Sequence, residues 1–304
     1  MARFREFLPI LALTLVALIW GFNFSMIKFV YADFTIPTTG LLRYLLMVPL
    51  MFIVAKAMGQ LVIPAKGERL RFFATGLMSS GVYMILFLEG MRTAAPAQGA
   101  IALATVPIWI GIFSILAKQE TFRWNLVYGS ILAYVGVGAV IMGKPNRGEG
   151  ELMGVVLVLV AAIAWAASVI MMKPLLAKDK PALGTFAATF PGAAIVMIPY
   201  GIRDMLATDY SAITPQGWGA LSYLVVMAGT VAFVFYYISL REVGPIKTSM
   251  VAYFVPIIAA FGEWLLLKQP LGMLQVAGVG VVLIGVLVAR PPRPVSAPTE
   301  SFEV

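Results

Sequence analysis

The residues able to do chemistry are few, and they lie in apolar surroundings. Asn23 stands in the run Trp20-Gly21-Phe22-Asn23-Phe24-Ser25. Its amide carries two donors and a carbonyl acceptor, enough to hold a carboxylate or an amine, or to bond a neighbouring helix. Trp20 lies one turn away, and Trp165 has the same setting in Ala162-Ile163-Ala164-Trp165. An indole far from the membrane interfaces offers a flat wall and one N–H to a solute. Ser168 follows Trp165 by one helical turn. Gln98, Ala102, Thr105 and Trp109 recur at helical spacing, as one stripe. Tyr83, Thr230, Tyr236 and Tyr253 are further lining candidates, each with packing as the other reading.

Four charges stand in or at the edge of what becomes the outer half: Lys28, Arg43, Glu89 and Glu263. Charges within apolar spans pair or mark an ion path. One expectation is an Arg43–Glu89 ion pair with Lys28 snorkelling to the interface. The other is proton uptake by Glu89 or Glu263. Pro107 and Pro256 fall mid-span at matching depth and form a candidate hinge pair, static curvature being the alternative.

Several chemistries are excluded. With no histidine and no cysteine there is no Ser-His pair, no HExxH zinc site and no thiolate, so no metal site and no cofactor are expected. The aspartates Asp33, Asp179, Asp204 and Asp209 all fall in loops or at helix ends. Ser25 and Lys28 are one helical turn apart, too weak a basis for a Ser-Lys dyad at an interface. Gly138 to Lys144 reads GAVIMGK, but Pro145 replaces the Ser or Thr of a phosphate loop, and the stretch ends an apolar helix. Asn23-Phe24-Ser25 matches a glycosylation triplet but is buried in a span. An enzyme is not expected. A channel would want charged rings or a carbonyl filter, and neither is visible.

The elements that must position these residues are long and apolar. Hydrophobic residues make up 61% of the 304 and charged ones 12%, too few charges to cover a soluble protein of this size. Ten stretches are long enough to cross a bilayer, at roughly 8–30, 38–58, 70–91, 95–117, 122–143, 152–173, 182–202, 216–240, 245–267 and 271–289. The first reads as a retained helix and not a cleaved signal. With the N-terminus inside, 15 of the 22 lysines and arginines fall in inner segments and 6 at outer ends. The positive-inside rule then places both termini in the cytoplasm. The net charge of +8 needs no nucleic acid partner. Residues 291–304, rich in proline, read as a disordered cytoplasmic tail.

The halves repeat. Ala17-Leu18-Ile19-Trp20 and Lys28 align with Ala162-Ile163-Ala164-Trp165 and Lys173 at a shift of 145. At a shift of 149, Arg92 pairs with Arg241, Pro96 with Pro245, Val106-Pro107 with Val255-Pro256, Gly129 with Gly278 and Gly136 with Gly285. The expected fold is therefore all-α and transmembrane, ten helices in two five-helix repeats, 1–147 and 148–290. Five is odd, so the second repeat is inverted, an arrangement that recurs in secondary transporters with a midplane site between the halves.

The Trp20 to Lys28 run, Arg43 early in the second span, mid-span prolines in the fourth and ninth spans, and the Glu120 turn with its Gln269 counterpart occur in order and in duplicate. In these the chain resembles the EamA family of the drug/metabolite transporter superfamily, over about residues 8 to 290. The family often has a glutamate where Gln269 stands. The resemblance implies outward transport of small metabolites, amino acids or their derivatives, with other metabolites or drugs as alternatives. It implies a cavity lined by helices 1–4 and 6–9, with helices 5 and 10 peripheral and able to support a dimer. The expected partners are a small-molecule substrate and the lipid bilayer, for a monomer or homodimer. Short loops and the absence of cysteine and histidine fit a bacterial inner membrane.

Overall fold

The computed structural model describes residues 2–118, 122, 124–143, 150–176, 180–239 and 251–288. The Glu120 turn, Arg241, Pro245, Lys247 and the 291–304 tail lie outside the described residues. Among the described residues all regular secondary structure is helical, with no strand. Its helices are α1 (Ala2–Asp33), α2 (Ile36–Ala57), α3 (Arg69–Thr93), α4 (Pro96–Leu116), α5 (Trp124–Met142), α6 (Glu151–Leu175), α7 (Ala182–Ala207), α8 (Pro215–Ser239), α9 (Val251–Leu267) and α10 (Met273–Val288). Among the described residues, α1 to α4 and α6 to α8 are long and apolar enough to cross a membrane, while α5, α9 and α10 contribute shorter apolar segments.

The starts follow local chemistry. Thr35 caps α2 by accepting from the Thr38 backbone N–H at 3.3 Å, and Thr214 caps α8 by accepting from that of Gly217 at 3.1 Å. Each cap is followed by proline in the first turn, where the missing N–H costs nothing. Lys118 and Lys268, just after α4 and α9, are the two described non-glycine residues with positive φ, both at 55°. Such a left-handed residue ends a helix, and a basic side chain there suits the helix's negative pole.

The spans α3, α7 and α8 carry π or 3-10 segments in their interior. Leu77–Val82 of α3 and Tyr223–Val231 of α8 are π-helical. Phe190–Ala193 of α7, which contains Pro191, is a 3-10 turn. The α3 and α7 irregularities pack on each other. At that contact a Cβ on Gly192 would collide with the Phe73 carbonyl and one on Gly76 with the Thr189 carbonyl, so only glycine permits the approach.

Between the first five helices and the last five, α1 packs on α8 and α9, and α6 packs on α3 and α4. Further contacts join α2 to α7 and α8, α3 to α7, α4 to α9 and α5 to α10. The α5–α10 contact is the most extensive. Large apolar side chains stand outward in numbers, Leu11, Ile131 and Met273 among them at 67%, 58% and 91% exposure. Such a belt suits contact with lipid chains, as the backbone is satisfied within each helix.

Candidate functional site

The centre of the bundle is a chain of aromatic rings. Trp20 of α1 meets Phe233 and Tyr236 of α8 at centroid distances of 5.3 and 5.5 Å. Trp165 of α6 meets Phe233 at 6.4 Å and Tyr83 of α3 at 5.0 Å. Tyr83 stacks on Phe87, which meets Phe24 edge-on. Phe186 of α7 closes the group, 4.9 Å from Phe233 and 5.5 Å from Tyr237. Four expected residues, Trp20, Tyr83, Trp165 and Tyr236, thus come together from four helices, all half-buried. Phe233, Phe186 and Tyr237 complete the cluster and were not singled out from the sequence. The aromatic run from Phe233 to Tyr237 was the signal available.

Asn23 lies on the same side of α1 as Trp20 and Phe24. It is 6% exposed, and its Oδ1 has no hydrogen-bond partner among the described residues. A buried amide oxygen left unpaired costs on the order of 1–3 kcal/mol, so a built-in glue role does not account for it. Ser168, Thr105 and Thr230 are also buried, but their hydroxyls are in use on their own helices. They donate to the carbonyls of Trp165, Ala102 and Val225 at 2.7, 2.7 and 3.0 Å.

The stripe from Gln98 to Trp109 does not form one face. The α4 helix is interrupted at Ala104 and Thr105, between Pro96–Leu103 and Val106–Leu116. Pro107 lacks the N–H that would bond the Leu103 carbonyl, so the ladder breaks there. Trp109 consequently packs with Phe113 and with Tyr134 of α5, outside the central cluster. Gln98 accepts from the Ala95 backbone N–H at 3.2 Å, capping the start of α4, while its Nε2 has no partner among the described residues. The two prolines differ in effect, since α9 runs unbroken through Pro256. Tyr253 lies in α9, its side chain outside the described residues.

The charged residues take other partners than expected. The Arg43–Glu89 pair is not formed. Glu89 accepts from the Tyr200 hydroxyl of α7 at 2.5 Å, while Nε and Nη1 of Arg43 have no hydrogen-bond partner among the described residues. Lys28 does not simply snorkel: its Nζ donates to the Met91 and Arg92 carbonyls at 2.6 and 3.2 Å, capping the end of α3. Glu263, 1% exposed, accepts from the Ala97 backbone N–H at 3.0 Å. Its charge therefore faces the positive end of α4. Among the described residues no cluster of metal-ligating side chains occurs.

This is a helical membrane bundle with an aromatic centre, of the class that carries solutes. Residues 7–142 and 152–290 each match the EamA-like transporter family, and the chain belongs to that family. It is 24% identical over 286 residues to an uncharacterised transporter of Archaeoglobus fulgidus, covering 91% of this chain and 97% of the relative. It is 24% identical over 317 residues to the uncharacterised inner membrane transporter YedA of Escherichia coli K12, covering 97% of each. A relative in Salmonella typhimurium named "probable amino-acid metabolite efflux pump" is 25% identical over 286 residues, 90% of this chain and 92% of its own. A solved crystal structure at 15% identity agrees in fold with a TM-score of 0.63, over 92% of this chain and 95% of that one.

Proposed function

We propose that the protein is a secondary transporter that moves small amphipathic metabolites, amino acids or their derivatives, outward across a bacterial inner membrane. Transport proceeds by alternating access at the aromatic centre. The observation that carries this reading is the contact pattern between the halves. If α1 to α5 are exchanged with α6 to α10 in order, α1–α9 becomes α6–α4, α1–α8 becomes α6–α3, and α2–α8 becomes α7–α3. The contacts α2–α7, α4–α9 and α5–α10 map onto themselves. Every contact between halves named above thus has its exchanged partner, as an internal two-fold axis requires. The twofold family match supports repeats at 1–147 and 148–290. An odd number of helices per repeat inverts the second, the even total puts both termini on one side, and the lysine and arginine bias makes that side the cytoplasm.

Further support comes from the irregular helices. At the 149 shift, Leu77–Val82 corresponds to residues 226–231, inside the π segment of α8. Single-turn π segments occur often at functional sites. Here both lead directly into aromatic side chains of the central cluster, Tyr83 in α3 and Phe233 in α8. In this reading Trp20, Tyr83, Trp165 and Tyr236 form the walls of the solute site and Asn23 its polar contact. The Salmonella relative's name supports amino acids as the class.

The test is counterflow in sealed proteoliposomes that hold folded protein, with neither ATP nor an ion gradient. Vesicles loaded with unlabelled amino acids should transiently accumulate a labelled member. Exchange of lipophilic cations or sugars alone would move the substrate class. Dissipation of every gradient with no counterflow would indicate a channel.

A further inference from the structure

Three charged side chains are buried among the described residues: Arg43 at 5% exposure, Glu151 at 4% and Glu263 at 1%. Both carboxylates have partners. Arg43 is different, because its Nε and Nη1 are shut off from solvent and bonded to nothing among the described residues. Two hydroxyls near it, those of Tyr31 and Tyr44, are committed elsewhere. Tyr31 donates to the Leu88 carbonyl at 2.7 Å and Tyr44 to the Phe190 carbonyl at 3.1 Å. An unpaired buried charge costs several kcal/mol, and a protein of modest stability keeps one where it serves a ligand.

The guanidinium also borders space. A cavity of about 10 Å³ lies between α2 and α3, lined by Gly40, Arg43, Tyr44, Met47, Ser80 and Met84. Such a void admits about one small group. Ser80 belongs to the π segment of α3, and Tyr83, about one turn later, packs tilted against Trp165. The cavity beside Arg43 and the aromatic wall therefore share α3, Ser80 lining the one and Tyr83 belonging to the other. The repeat leaves the other half uncharged at this place: the stretch of α7 corresponding to Arg43, residues 187–193, reads AATFPGA. The site has one positive pole and no symmetry mate.

We propose that Arg43 receives the carboxylate of the transported solute, with the solute's apolar body against Tyr83, Trp165 and Phe233. A planar guanidinium binds a carboxylate through two parallel hydrogen bonds, the strong geometry for this pair. The assignment rests on the transport reading above and narrows it to carboxylate-bearing solutes. Lipophilic cations are disfavoured by the same charge. In the conformation described the pocket is closed on all but a small group, so the solute reaches it when α2 and α3 separate during the cycle.

Two readouts test this on the full-length protein. The first needs no ligand. Arg43→Met keeps the length of the side chain and removes the charge, so the ligand-free variant should melt at the parent's temperature or above. A fall of more than a few degrees would make Arg43 a structural partner and overturn the proposal. The second is counterflow with L-phenylalanine, L-tryptophan and L-leucine, each matched to its carboxylate-free amine. Arg43→Met should raise the half-saturating concentration of the acids by about tenfold or more and leave any amine exchange unchanged, with Arg43→Lys in between. Equal exchange of acids in parent and Arg43→Met, or exchange of amines alone, would overturn the role of Arg43 and leave the transport reading standing. No exchange of either set, in vesicles shown to be sealed and to hold folded protein, would remove amino acids from the reading and this assignment with them.

Discussion

Trp20 donates its indole N–H to the carbonyl oxygen of Ala228, 3.2 Å away in the π segment of α8. The bond crosses from the first five helices to the last five and ties an aromatic wall to an irregular backbone. Trp165, its partner in the sequence repeat, is held by ring contacts with Tyr83 and Phe233. The two tryptophans should therefore respond differently to loss of the indole N–H. Trp20→Phe should destabilise the protein by about 1 kcal/mol, and Trp165→Phe by less. Thermal unfolding in detergent measures both; equal effects would show that the Ala228 bond contributes nothing.

The α5–α10 contact depends on Gly136 of α5 and Gly278 of α10. A Cβ on Gly136 would lie 2.6 Å from the Val282 backbone nitrogen, and one on Gly278 would lie 2.8 Å from the Gly136 carbonyl oxygen. Close backbone approach of this kind is how helices associate where lipid removes the hydrophobic drive. Gly136→Leu and Gly278→Leu should each cost on the order of 1–3 kcal/mol or more through forced separation. Gly138→Ala and Gly280→Ala, where a Cβ meets nothing within 4 Å, should be neutral or slightly stabilising. Melting temperatures of the four variants separate the two outcomes.

The helical bundle was legible in the sequence because span hydropathy adds up over each long apolar stretch. The central aromatics Trp20, Tyr83, Trp165 and Tyr236 were legible as large polar-tipped rings at membrane depth. What failed is what assumes an ideal helix. Trp109 left the expected face because α4 breaks before Pro107. The π segments carry no strong mark beyond the small residues Ser79-Ser80-Gly81 and Ala228-Gly229-Thr230. Charge partners failed for another reason, since backbone carbonyls and N–H groups compete for them. Lys28 and Glu263 took helix ends, and Glu89 took the Tyr200 hydroxyl, leaving Arg43 without its expected mate.

A connection outside the spans gives a pH signature. Lys180, just before α7, donates to Glu68, just before α3, at 2.5 Å. That hydrogen bond holds the Glu68 carboxyl below its ordinary value of 4.5. A carboxyl lowered in the folded state stabilises at pH above its unfolded value, and the contribution is lost as pH falls through the folded one. Parent and Glu68→Gln should differ slightly in melting temperature near neutral pH and converge in acid. A difference that persists in strong acid would assign the effect to packing instead.

Asn23 separates a solute contact from a structural amide. Its Oδ1 is unpaired in the described protein, so Asn23→Ala removes no existing oxygen-centred bond and should leave the melting temperature within about 1 kcal/mol equivalent of the parent. Counterflow should nevertheless be abolished if the amide holds the polar group of the solute. Trp165→Ala should abolish it too, but with lower stability, because its ring contacts to Tyr83 and Phe233 go with it. Asn23→Asp sharpens the comparison. A carboxylate placed beside a site whose one positive pole is Arg43 should repel an anionic solute, so exchange should fall further for amino acids than for any neutral solute. Unaltered exchange in well-folded Asn23→Ala and Trp165→Ala would remove both residues from the solute path.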